Sequence, residues 1–207
     1  MSNGIVANLT ESFGYAKDKL VGNIVNWIVL IVLSIIPIVN FIAIGTYLKV
    51  FRGEDPKVDN IGKSFVDGLL AAIIGFIYML IPIIIFSIVM GASIVAMTTG
   101  DIAALAGAGI GGIICLIVVI LFALIMIPAM INFARNGFGA AFSFGTIFGM
   151  IGKAGWISYI LSIILIGIIF GIVGLLGMIP IIGWLIMLIL FPFLTIWASK
   201  FWANLFA

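Results

Sequence analysis

The sequence predicts an all-α integral membrane protein: six transmembrane or partly re-entrant helices in three helical hairpins, with short interfacial amphipathic helices. Three observations predict it. Of 207 residues, 65% are hydrophobic and 8% charged, and mean hydropathy is +1.48, where a soluble domain has about 45–50% apolar and about 25% charged residues. The apolar residues form four blocks, 20–51, 65–98, 102–134 and 154–199, and the first and last exceed one span of about 20 residues. The basic residues, finally, sit only in the N-terminus, the C-terminus, and alternate connections with the helix ends beside them. Lipid is therefore the solvent. No polar block is long enough for a separate soluble domain, so residues 1–207 are expected to be one membrane domain.

The first 20 residues contain acids and no apolar core. They are not a cleavable signal peptide, and the first apolar run is expected to act as an uncleaved signal. That run carries Ile35-Ile36-Pro37-Ile38-Val39-Asn40, and the last block carries the matching Met178-Ile179-Pro180-Ile181-Ile182-Gly183. Proline removes a helical hydrogen bond and disfavours helix in the residue before it. Asn40 and Gly183, three residues on, tolerate turn geometry. Proline also kinks helices without ending them, so local sequence leaves both outcomes open.

The charges decide between them. The basic residues are Lys17, Lys19, Lys49, Arg52, Lys57, Lys63, Arg135, Lys153 and Lys200. With turns at both proline sites, the connections fall at 36–40, 52–64, 98–103, 136–153 and 178–182. The first, third and fifth hold no Lys or Arg. That is a complete positive-inside partition with both termini cytoplasmic. A single kinked helix over 20–51 would set Lys17 and Lys19 across the bilayer from Lys49, Arg52, Lys57 and Lys63. The expected hairpins are therefore about 20–51, 65–134 and 154–203. The first is short: helices over 20–36 and 38–51 would be about 25 and about 21 Å long. It either spans or is re-entrant, and charge counting does not distinguish the two.

Ser12-Phe13-Gly14, Ser64-Phe65 and Ser143-Phe144-Gly145 each precede a hairpin, within stretches mixing aromatics and Lys. They read as interfacial helices over about 9–19, 58–66 and 138–152. They mark either three repeated units or the general gathering of aromatic and basic residues at interfaces.

Gly107-Ala108-Gly109-Ile110-Gly111-Gly112 fits a dinucleotide-binding spacing, but it opens a span and no acid follows about 20 residues later. Gly107 and Gly111 are instead expected to pack helices closely. The same is expected of Gly167, Gly171 and Gly174, which share one helix face, with a pore wall or hinge as the functional alternative. Gly62-Lys63-Ser64 lacks the first glycine of a phosphate loop, where Lys57 stands. Pro82 and Pro128 are expected to kink their spans. Trp156, Trp197 and Trp202 near the inner interface, and Trp184 near the outer one, read as interface anchors. Asn8-Leu9-Thr10 matches a glycosylation sequon that should stay unmodified in the cytoplasm.

There is no histidine and a single cysteine, Cys115, in an apolar run. The commonest general base and metal ligand is missing, and no carboxylate pair lies in the membrane. Glu54, Asp55 and Asp59 cluster between Arg52 and Lys63; they read as a solvated mixed-charge loop, with divalent metal binding as the alternative. Asn26 and Asn40 are expected to bond to neighbouring helices or, for Asn40, to the turn, with binding of a ligand or an ion as the alternative.

The lines SIIPIVNFIAIGTYLKVFRGEDP, SFVDGLLAAIIGFIYMLIP and LLGMIPIIGW with WASKFW together resemble an uncharacterised family of archaeal multi-spanning membrane proteins, a domain of unknown function. The shared features are the tips at Pro37 and Pro180, the segment Lys49 to Gly53, and Phe65-Val66-Asp67-Gly68. The resemblance implies an archaeal cytoplasmic membrane and supplies no activity.

The expectation is a non-catalytic membrane protein with no catalytic residue, metal or cofactor. Its partners would be the lipid bilayer and either further copies of itself, as a homo-oligomer, or other membrane proteins, and no nucleic acid. It would act as a structural or membrane-organising component. The alternative is a passive channel or uncoupled transporter with Asn40 at a re-entrant tip, since backbone carbonyls and apolar constrictions suffice to line a pore.

Overall fold

A computed structural model describes residues 4–100 and 102–207. Apart from turns these residues are helical, with no strand among them. The helices are α1 (Ile5–Leu20), α2 (Ile24–Ile35), α3 (Asn40–Phe51), α4 (Ile61–Thr99), α5 (Ile102–Asn136), α6 (Phe144–Ala154), α7 (Trp156–Leu176) and α8 (Ile182–Leu205). Five described segments are long and apolar enough to cross a membrane: Ile5–Ile35, Ile61–Thr99, Gly109–Asn136, Trp156–Leu176 and Ile182–Leu205. They mark a membrane protein. α3 is too short to join them.

The chain divides into two compact units, Met1–Ala71 with Pro128–Ala207, and Ala72–Ile127. In the second, Gly111 lets Val89 approach: a Cβ there would stand 3.1 Å from a valine methyl. Gly107 meets no described atom within 4 Å. Tyr78 and Phe122 pack edge to face, centroids 5.9 Å apart.

In the first unit both proline tips end helices. Ile36 is extended at φ −92°, ψ 113°, as a residue before proline should be. α2 and α3 have 12 residues each, about 18 Å at 1.5 Å per residue, well under a hydrocarbon core of about 30 Å. At the second tip the left-handed residue is Ile181, φ +64°. Gly183 has a different role from the expected one. A Cβ there would overlap the Leu176 carbonyl oxygen, so its lack of a side chain lets α7 and α8 close.

The tightest helix crossing is one that glycine spacing did not single out. Added Cβ atoms would overlap the Ser64 carbonyl oxygen at Gly45 and the Phe41 carbonyl oxygen at Gly68. The backbones of α3 and α4 therefore touch, as small-residue pairs allow. Ser64-Phe65-Val66-Asp67-Gly68 is the sequence signal, a serine and a glycine four apart. Gly167, Gly171 and Gly174 pack no helix among the described residues; no described atom lies within 4 Å of where their Cβ would be.

Three other expectations change. The 58–66 segment is not a separate surface helix: α4 starts at Ile61 and runs unbroken to Thr99. The 9–19 segment falls within α1, whose Asn8, Ser12, Ala16 and Leu20 are buried, so its inward face begins polar. Trp197 and Trp202, each 6% exposed, are core residues. Trp197 stacks on Phe170 at 6.3 Å, and Trp202 meets Tyr159 edge-on at 5.9 Å. Trp156 and Trp184 are exposed. Over 138–152 the chain forms a 3-10 turn, Phe138–Phe142, and then α6.

Gly68→Ala should lower the thermal midpoint of the detergent-purified protein, at an overpacking cost of about 1–3 kcal/mol. Gly171→Ala should leave the midpoint of the protomer unchanged or raise it, since alanine is the better helix former by about 1 kcal/mol. Equal losses for both would contradict the assignment.

Candidate functional site: a polar layer at converging helix ends

The polar side chains of the first unit gather where helices end. α5 closes with Asn132-Phe133-Ala134-Arg135-Asn136, and Gly137 turns the chain away at φ +91°, a conformation that glycine adopts freely. Arg135 reaches back across the bundle. Its Nε donates to the Phe51 carbonyl at 2.9 Å, Nη1 to Phe206 at 2.7 Å and Nη2 to Ala203 at 3.2 Å. Those carbonyls lie at the C-terminal ends of α3 and α8, where unpaired oxygens and the negative pole of the helix dipole call for a cation. One planar fork satisfies both ends, which a lysine ammonium could not match. Beside it, Asn132 donates to the Ala140 carbonyl at 2.7 Å and accepts from Asn136 at 2.7 Å.

The 52–60 connection is held from below by Asn26. Its amide donates to the Pro56 carbonyl at 2.9 Å, and its oxygen accepts the Val58 N–H at 2.8 Å. Asn26 thus reads the backbone of a loop; the expected partner was a neighbouring helix. Asn40 stays within its own hairpin, its amide 3.5 Å from the Ser34 carbonyl.

The acids of this connection are distributed over three cations. Asp55 pairs with Lys19 at 2.6 Å, Asp59 with Lys49, and Glu54 with Arg52 at 3.1 Å. Arg52 also meets Asp67 at 2.9 Å, which ties α3 to the start of α4. Lys49 is buried and donates as well to the Lys57 carbonyl at 2.9 Å. Among the described residues no group of three His, Cys, Asp or Glu side chains is placed to hold a metal.

Asn8 joins α1 to the last turns of α8. It donates to the Phe201 carbonyl at 3.0 Å and accepts from Ser12 at 3.2 Å and Asn204 at 3.0 Å. The sequon asparagine is therefore buried and bonded through both its amide nitrogen and its oxygen. Trp197 adds an indole bond to the Leu9 carbonyl at 3.1 Å. Sequence reading missed the Asn8–Asn204 pairing because its members are 196 residues apart.

Two adjoining cavities open in this layer. One of about 750 Å³ is lined by Asn8, Glu11, Lys153, Ser158 and Asn204, among others. One of about 310 Å³ is lined by Asn132, Arg135, Asn136, Thr146 and Lys153, among others. They share Lys153, Ala154, Leu205 and Ala207.

Residues 29–182 match the family described as "Protein of unknown function (DUF4013)". That is well over half of the chain. The chain belongs to this family. No curated protein and no solved structure matches it.

The Lys49 ammonium, hydrogen-bonded to Asp59, holds that carboxyl below its ordinary value. A folded pKa below the unfolded one gives a contribution present above the unfolded value, about 3.9, and lost as pH falls through the lower folded value. Asp59→Asn should therefore melt below the native protein at pH 7, with the difference shrinking as pH approaches 3. A difference independent of pH would contradict the pairing.

Proposed function

We propose that this DUF4013 protein is a non-catalytic structural component of the cytoplasmic membrane, archaeal as the resemblance implies, and that it acts as an oligomer or bound to another membrane protein. In this reading its six helices form three hairpins. The α2–α3 hairpin is re-entrant, and both termini lie in the cytoplasm with the polar layer.

The supporting observation is the exposed face of α7. Gly167, Gly171 and Gly174 leave open space where side chains would stand, amid exposed Ile164, Ile168 and Leu175. In lipid, helices associate through close van der Waals approach over small residues, because lipid tails solvate apolar side chains equally well. The short first hairpin supports re-entry: its return helix α3, about 18 Å long, does not bridge a core of about 30 Å. The orientation draws on the convergence of Lys19, Lys49, Arg52, Arg135 and Lys153 on one layer, the side that basic residues favour being cytoplasmic.

The channel alternative needs Asn40 free to face a pathway, and its amide is turned toward Ser34 in its own hairpin.

Native mass measurement of the protein in a neutral detergent should give one defined oligomer. Gly171→Leu should release monomers without lowering the thermal midpoint of the protomer. A strict monomer that makes liposomes leak to ions, with leakage altered by Asn40→Asp, would replace this reading with the channel.

A further inference from the structure

The smaller cavity of the polar layer combines three properties that together describe an anion site. It is cationic. Arg135 and Lys153 both line it, and neither has an ion-pair partner among the described residues, whereas Lys19, Lys49 and Arg52 each have one. It also offers neutral donors. Asn132, 2% exposed, stands with Asn136 and Thr146 around the two cations. Its volume, about 310 Å³, suits a headgroup-sized polar ligand. Arg135 supplies five N–H donors, and the three carbonyl bonds it makes leave two free.

Among the residues that line the two cavities, Glu11 is the one Asp or Glu. It lines the adjoining cavity and is held there by Asn204 at 3.2 Å. It forms no ion pair with Lys153.

We propose that this cavity binds the phosphate of an anionic lipid headgroup, with Lys153 and the free Arg135 donors as the charged partners and Thr146 and the asparagines as neutral ones. Lipid is the favoured source because Arg135 sits at the end of the Gly109–Asn136 segment and Leu205 at the end of Ile182–Leu205, both apolar enough to span a membrane. The cavity thus opens where candidate spans stop, the level at which lipid phosphates would lie. Basic pockets between transmembrane helices recognise headgroups in this manner, and charge-assisted bonds to phosphate are the strong kind. The proposal does not depend on the oligomer reading.

Lys153 is the residue to change, because it is exposed while Arg135 holds the helix ends together. Full-length protein in neutral detergent would be titrated with phosphatidylglycerol, with phosphatidylcholine and with inorganic phosphate, and read by native mass spectrometry and thermal shift. The expectation is saturable phosphatidylglycerol binding that Lys153→Gln weakens by at least fivefold. Lys63→Gln, which removes an exposed charge outside the cavity, should leave it unchanged. Phosphatidylcholine should bind more weakly, because its own cation meets Arg135 and Lys153. Phosphatidylglycerol binding equally insensitive to both substitutions would overturn the site. Saturable inorganic phosphate binding lost in Lys153→Gln, with no lipid binding, would overturn the lipid source and leave a site for soluble phosphate.

Discussion

A guanidinium shared between two helix ends is the constraint from which the first unit follows. Helices that stop at a membrane surface leave carbonyls unpaired, and a bundle that brings several such ends together concentrates negative partial charge. Arg135 answers α3 and α8 at once. Each bond of this charge-assisted kind contributes about 1.5–3 kcal/mol. The guanidinium also sets geometry. Once Phe51 and Ala203 are fixed beside it, α3 and α8 both run away from the same point. α3 extends about 18 Å and α8 about 36 Å from it, so the Pro37 tip ends nearer the polar layer than the start of α8 does.

The remaining contacts of the layer build on that junction. Asn26 grips the loop that leaves α3, Arg52 carries the chain on to Asp67 in α4, and Gly45 against Gly68 lets α3 and α4 touch. Asn8 and Trp197 then fasten α1 along α8. Long runs of exposed Ile, Leu and Phe lie on α4, α5 and α7, as lipid-facing helices require.

Some of this was legible in the sequence. Composition alone excludes a soluble fold, and Pro37 and Pro180 mark true helix ends because each removes a donor and restricts its neighbour. Side-chain roles were less legible, for physical reasons. A glycine pattern says that a backbone can approach, not whether one does: Gly167, Gly171 and Gly174 stand open while Gly45 and Gly68 are in contact. A tryptophan near a helix end looks the same in sequence whether it is exposed, as Trp156 is, or packs inward, as Trp197 does. The boundary at 58–66 was hidden because a polar first turn and an apolar span can share one helix, as they do in α4. Arg135 was counted as a topological charge, and its partners at Phe51, Ala203 and Phe206 are too distant in sequence for spacing to reveal.

The most direct measurement is the distance between spin labels at positions 54 and 207 in a Cys115→Ser background, with Arg135 intact and with Arg135→Gln. If the guanidinium holds the ends of α3 and α8 together, the intact protein shows one narrow short distance, and the substitution broadens and lengthens it. A distribution that is the same in both proteins would contradict the account.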